Sequence, residues 1–97
     1  MATFITTINF NEQGIQNIQD TGKRADAFKK AAKKMGVTVK SIYWTLGEFD
    51  GAVIFDAPDD ETATAVMLSL GAQGNVQTKT ARAFDGKVID AILSKLP

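Results

Sequence analysis

Alternating apolar and polar positions from Tyr43 to Asp56 predict a β-hairpin, because side chains of a strand point to its two faces in turn. Gly47 and Glu48 separate the two runs. Gly47 can adopt the positive φ angle that a two-residue type II′ turn requires at its first position. This turn would pair Trp44 with Gly51. The predicted strands cover residues 37–46 and 49–57.

This register gives the hairpin one apolar face and one mixed face. The apolar face should meet helices, whereas the mixed face is neither a clean core nor a clean solvent surface. Trp44 would cover the missing side chain of Gly51, which is more typical of a core residue than of a ligand-stacking one. The apolar face carries Ile42, Trp44, Leu46, Phe49, Val53 and Phe55, and the mixed face carries Ser41, Tyr43, Thr45, Asp50, Ala52, Ile54 and Asp56.

Helical spacing of apolar residues on both sides of the hairpin predicts two helices, each next to a further strand. Gly36 suits the left-handed end of the first helix, and Asp59 or Asp60 suits the start of the second. The polar last strand suits a sheet edge. The chain thus reads as a strand over 3–10, a polar connection over 11–20, a helix over 23–35, the hairpin, a helix over 60–70, a strand over 76–83 and a last helix over 85–96.

The order strand, helix, strand, strand, helix, strand predicts an α+β fold: a ferredoxin-like βαββαβ sandwich with an extra C-terminal helix. Right-handed crossovers would place both helices on one face of the sheet. The other face, with Ile54, Tyr43, Ala52 and Ile5, would be a partner surface or a pocket wall. Pairing with the same face of a second copy would give a two-fold, barrel-like dimer.

Composition narrows the possible chemistry. The 97 residues suffice for one domain, spanning 1–97. The chain has no cysteine and no histidine, which excludes thiolate metal ligands, histidine-ligated haem and any catalytic triad that uses histidine. Eleven basic and eleven acidic residues cancel, so no overall field would attract nucleic acid or an anionic membrane. We expect a soluble, cytoplasmic protein without a signal peptide, a membrane span, a metal or a cofactor.

The mixed face of the hairpin holds the main candidate site. Tyr43, Thr45 and Asp50 would form a polar cluster beside Ile54, able to orient a small ligand. Alternatively, a hydrogen bond between Tyr43 and Asp50 satisfies two half-buried groups, or Asp50 fixes the turn. Arg82 on the last strand would reach an anionic ligand or protect the sheet edge, as would Lys79 on the opposite face.

Three further clusters have simpler structural explanations. The lysines at 29, 30, 33 and 34 would bind phosphate or nucleic acid, but their crowding fits a solvated helix face better. Asp59, Asp60 and Glu61 would ligate a cation, but their spacing fits a helix cap better. The glycines of 71–75 follow a helix instead of preceding one, which is the wrong polarity for phosphate capture.

Several segments together resemble the GYD domain family, a small family within the dimeric α/β-barrel group. These are YWTLGEFD, APDDETA and LGAQGNVQTKTARAF, supported by NEQGI and KRADAFKKAAKKMG, and they cover about residues 3–84. The Gly-x-Tyr-Asp motif of the family corresponds to Gly47-Glu48-Phe49-Asp50, so Phe49 replaces the tyrosine and removes its hydroxyl. The resemblance implies a ferredoxin-like fold and an oligomer, but no established activity.

Two functional hypotheses remain open at this stage. The first is a small domain that forms a homodimer or higher oligomer through its open sheet face and binds a small apolar ligand there. The alternative is a cofactor-independent enzyme, monooxygenase-like or isomerase-like as in the wider barrel group, whose acid or base is Asp50, Tyr43 or Arg82, with the Asp50 carboxylate as a base in an apolar cavity. The first hypothesis is favoured by the absence of a nucleophile–base pair.

Overall fold

Four antiparallel strands form one sheet in the order β2-β3-β1-β4, and two helices cover one of its faces. The computed structural model describes residues 1–97. This arrangement confirms the ferredoxin-like βαββαβ sandwich, with β4 at a sheet edge as predicted. The elements are β1 (Ala2–Phe10), α1 (Glu12–Gln16), a 3₁₀ turn (Ile18–Asp20), α2 (Thr21–Lys34), β2 (Thr38–Trp44), β3 (Gly51–Ala57), α3 (Asp60–Ala72), β4 (Val76–Ala83) and α4 (Gly86–Leu93).

The core lies between the sheet and the helices α2 and α3. Its centre is Phe55, which is completely buried and stacks on Phe4 with 5.4 Å between the ring centroids. Thr6 is the one polar residue that is completely buried there. Its hydroxyl lies 2.8 Å from the hydroxyl of Thr80 and 3.3 Å from Sδ of Met67, so this buried hydroxyl has hydrogen-bond partners. The other buried apolar residues are Phe28, Ala32, Val37, Val53, Ala57, Ala63 and Val66.

Helix ends follow the predicted local rules. Asp59 caps α3, because its Oδ1 accepts a hydrogen bond from the amide of Thr62 at 2.7 Å. The side chain of Thr62 and then its backbone amide hydrogen-bond to this carboxylate and lower the pKa of Asp59 below its ordinary value of 3.8. Gly36 follows α2 with φ +83°, the left-handed conformation that ends a helix. The acidic run at 59–61 therefore serves the helix start, as its spacing indicates.

The hairpin differs from the predicted tight turn. Gly47 has the expected positive φ of +131°, but β2 ends at Trp44 and β3 starts at Gly51, leaving residues 45–50 as a bent loop. Within this loop the hydroxyl of Thr45 donates to the carbonyl of Phe49 at 2.5 Å. Because the bends break the two-residue alternation, Leu46 is fully exposed. Trp44 pairs with Gly51 as predicted, but at the strand end it is 53% exposed. The prediction that both belong to the core is wrong.

The polar connection over 11–20 contains more structure than predicted. Asn11 caps α1 by accepting from the amide of Gly14, and its Nδ2 donates to the carbonyl of Gly74 at 2.7 Å. Gly14 is buried against the loop after α3, where a Cβ atom would lie only 2.1 Å from the carbonyl oxygen of Asn75. A glycine is therefore required here by close approach of two backbone segments.

Candidate functional site

The face of the sheet opposite the helices carries an apolar centre, which we call the open-face patch. Ile5 of β1 is 40% exposed and lies between Ile54 of β3 and Ala81 of β4 in the two strand registers. Tyr43 of β2 pairs with Ala52 and is 58% exposed. These five residues share one face because strand positions two apart point the same way. The patch is Ile5, Tyr43, Ala52, Ile54 and Ala81.

A polar group borders the patch near the end of β3. Asp56 accepts a hydrogen bond of 2.7 Å from the hydroxyl of Thr3, and its other carboxylate oxygen lies 3.4 Å from Nζ of Lys40. The bond from Thr3, with a smaller contribution from Lys40, holds the pKa of Asp56 below its ordinary value of 3.8. The rim is therefore charged at neutral pH, whereas the centre of the patch is apolar.

The predicted polar cluster does not assemble as a unit. Tyr43 and Ile54 lie on the open face as expected, but Thr45 and Asp50 belong to the bent loop. The carboxylate of Asp50 accepts from the amide of Phe10 at 2.9 Å, and its own amide donates to the carbonyl of Ile8 at 2.8 Å. Asp50 thus continues the ladder between β1 and β3, and the predicted hydrogen bond to Tyr43 is not formed.

Arg82 lies on the opposite side of the sheet from Tyr43 and Ile54. It pairs with the buried Phe4 across the β1–β4 ladder, so its side chain leaves on the helix-covered face. Its guanidinium lies 4.8 Å from the ring centroid of Phe84, and Nη1 donates to the carbonyls of Thr3, at 3.2 Å, and Ala83. The sheet therefore separates Arg82 from the other predicted ligand-binding residues, and these bonds tie it to the edge of β4.

Removal of the Asp50 carboxylate should cost stability. Asp50→Ala leaves the amide of Phe10 without its acceptor, which typically costs about 1–3 kcal/mol in the free energy of unfolding. Asp50→Asn is the matched control, because its amide oxygen can still accept that bond. Urea denaturation of both variants measures the difference. Equal stability of Asp50→Ala and Asp50→Asn would show that the bond to Phe10 has no structural importance.

Sequence patterns missed a second candidate, which we call the α2–α3 cleft. This cavity of about 60 Å³ lies on the helix-covered side, between the start of α2, the end of α3 and the sheet. Arg24 lines it but is already engaged, since its guanidinium donates to the carbonyl of Asn17 at 2.8 Å. Asp50 also lines it, with Oδ2 engaged by the amide of Phe10. The main apolar lining consists of Phe10, Phe28, Ile42, Trp44, Val53 and Leu70.

The sheet and its two covering helices define a ferredoxin-like α+β domain. The chain belongs to the GYD domain family, whose model matches residues 4–93. It is similar in fold to the protein TTHA0845 from Thermus thermophilus, with 23% identity, a TM-score of 0.56 and coverage of 89% of this chain and 96% of that chain. An ACT domain protein from Streptococcus pneumoniae is 19% identical with a TM-score of 0.46, covering 100% and 98% of the two chains. No curated protein matches the chain.

Helix length and composition also bear on membrane insertion. No helix in the structure combines the length and the hydrophobicity that a bilayer crossing requires.

Proposed function

We propose that this protein is a self-associating domain in which the open-face patches of two copies pack against each other. The observation that carries this proposal is the apolar row Ile54, Ile5 and Ala81 across three strands of a face that no helix covers. Apolar surface gathered in this way and bordered by polar groups is typical of protein–protein contact sites. A two-fold axis through the patch would bring each residue against the same patch of the partner.

The size of the domain supports the same proposal. A chain of 97 residues buries a modest fraction of its surface, so further burial between copies would add to its stability. Tyr43 is the one tyrosine of the chain and stands at the side of the patch, where an aromatic ring adds contact area at low entropic cost. The charged rim at Asp56 would remain at the solvated periphery, as rim groups of interfaces do.

Sedimentation equilibrium at micromolar concentration tests the association. Pairing of two copies predicts at least twice the 10.4 kDa mass of one chain, decreasing on dilution. A mass of one chain across the whole concentration range would contradict it.

A second candidate function is binding of a small, mostly apolar molecule. The sequence predicts such a ligand at the open face, but the α2–α3 cleft and a second cavity, between α3 and β4, both lie on the helix-covered side. The α2–α3 cleft combines an apolar lining with the carboxylate of Asp50, which suits a ligand that has one hydrogen-bond donor. Catalysis by Asp50 and Tyr43 is less well supported, because one carboxylate oxygen of Asp50 is held by Phe10 and the two side chains are not hydrogen-bonded.

Trp44 provides a fluorescence test of the cleft, because it lines the cavity and is the only tryptophan. Phenol, an apolar ring with one hydroxyl donor, should change the emission of Trp44 in a saturable manner. Ala25→Leu should abolish that response by filling the cleft, whereas Ala31→Leu on the exposed side of α2 should retain it. No saturable response, or equal responses in both variants, would reject the cleft as the binding site.

A further inference from the structure

The C-terminal helix α4 is amphipathic but does not pack into the core. None of its residues is buried, and the side chains of Ile89 and Leu93 are 40% and 52% exposed. Together with Val88, Ile92 and Leu96 they form one apolar stripe at helical spacing. The radius of gyration of 14.6 Å exceeds the roughly 12.5 Å expected for a compact domain of this length. The helix thus extends away from the rest of the chain and leaves its stripe without a partner.

The two residues between β4 and α4 are held in a defined conformation. The ring of Phe84 lies under the guanidinium of Arg82, which is itself bonded to the carbonyls of Thr3 and Ala83. Asp85 is extended, with φ −77° and ψ 179°, and its Oδ1 accepts from the amide of Val88 at 2.9 Å. These contacts fix the chain between β4 and α4 in the conformation in which α4 extends away from its own domain.

A groove suited to such a helix runs between α3 and the edge strand β4, and we call it the α3–β4 groove. Its volume is about 680 Å³, and Phe4, Ala63 and Met67 form its apolar floor. Leu68 stands on its wall and is 68% exposed, which is unusual for a leucine beside a core. The groove is lined along β4 only by Thr78, Thr80 and Arg82. One face of the edge strand is therefore incompletely covered.

We propose that α4 of one copy docks its apolar stripe into the α3–β4 groove of a second copy. Arg82 lines this groove and also contacts Phe84, which joins β4 to α4. Each α4 therefore leaves its own domain beside the groove into which α4 of the second copy would dock. Two copies can therefore exchange helices reciprocally and close the assembly, as in domain swapping. The groove carries one acid and one base, Asp60 and Arg82, and α4 also carries one of each, Asp90 and Lys87, so net charge does not oppose the docking.

The helix exchange concerns a different surface from the open-face patch. The groove lies on the helix-covered side of the sheet, whereas the patch lies on the other side. The exchange therefore does not depend on the proposed pairing of sheet faces.

Cysteine crosslinking tests the exchange, because the chain has no cysteine of its own. Full-length Leu68→Cys, on the groove, and Leu93→Cys, on the stripe, are mixed in equal amounts and oxidised. A covalent heterodimer is then measured by mass spectrometry. Docking should hold the two thiols at an effective concentration of about 1 mM, well above the micromolar concentration of the protein. The yield of covalent heterodimer should therefore exceed that of the control pair by at least about tenfold. The control pairs Leu68→Cys with Ala91→Cys, on the opposite side of α4.

Docking of α4 into the α3–β4 groove of its own chain would give a different crosslinked product from docking into a second copy. A chain carrying both Leu68→Cys and Leu93→Cys should form disulfides between chains when oxidised at micromolar concentration. A disulfide formed within single chains would show that α4 folds back onto its own groove and would overturn the proposal. Equal yields for the Leu93→Cys and Ala91→Cys pairs would overturn it as well. Circular dichroism of each variant confirms that the fold is retained.

Discussion

Ile5→Glu should abolish the proposed pairing of open sheet faces while leaving each domain folded. Ile5 is 40% exposed in the single chain, so a carboxylate at this position remains hydrated and costs the monomer little. In the paired state the same carboxylate would be buried against Ile54 and Ala81 of its own chain and against the partner's patch. Burial of a charge without a partner costs several kcal/mol, and this cost opposes the association directly.

The measurement is best made in a Leu93→Glu background, which disables the proposed helix exchange. There, Ile5→Glu should sediment with the single-chain mass of 10.4 kDa. Ile15→Glu is the matched control, because Ile15 is a 57% exposed isoleucine on α1, outside the patch. It should retain the association of the background. Association that persists in Ile5→Glu, or is lost equally in Ile15→Glu, would place the contact elsewhere.

Phe55→Ala should produce a larger loss of stability than any other substitution named above. Phe55 is completely buried at the centre of the sheet and stacks on Phe4 at 5.4 Å. Truncation removes apolar contacts on both sides and leaves a cavity, which typically costs about 3–5 kcal/mol. Small domains have a total stability of about 5–15 kcal/mol, so this one change removes a large fraction of it. The midpoint of urea unfolding should decrease accordingly.

Phe84→Ala is the control for this prediction. Phe84 is 49% exposed and contacts the guanidinium of Arg82 at the surface, so its truncation should cost less than about 1 kcal/mol. The comparison separates core packing from the general effect of losing an aromatic ring. Similar losses in the two variants would mean that the core does not centre on Phe55.

The fold was predictable because each element carries its own periodic signal. Alternation in β3 places Val53 and Phe55 on the face that is buried, and helical spacing places Phe28 and Ala32 inside. The residues that end or cap a helix are equally local signals: Gly36 ends α2, and Asp59 caps α3. The element order then restricts the topology, since crossovers are right-handed. Apart from the short helix and the 3₁₀ turn within residues 11–20, only the limits of elements shifted, because strand ends depend on which backbone groups find partners.

The details of the site could not be predicted, because they depend on contacts between distant segments. Asp50 bonds to Phe10, forty positions earlier, and this bond holds the loop against β1. The exposure of Trp44 also depends on distant segments, since its surroundings are the α2–α3 cleft. Which face Arg82 occupies depends on the register of β4 against β1, which no local pattern specifies. The α2–α3 cleft could not be predicted either, because its walls come from helices that lie far apart in the chain.

Contacts between copies test the pairing of open sheet faces most directly. Isotope-filtered nuclear Overhauser spectroscopy on an equal mixture of labelled and unlabelled protein detects only contacts between chains. Face-to-face pairing predicts signals from the methyl groups of Ile5 and Ile54 of one copy to the ring of Tyr43 or the methyl of Ala81 of the other. An associated protein whose patch gives no such signals, while other surfaces do, would contradict it.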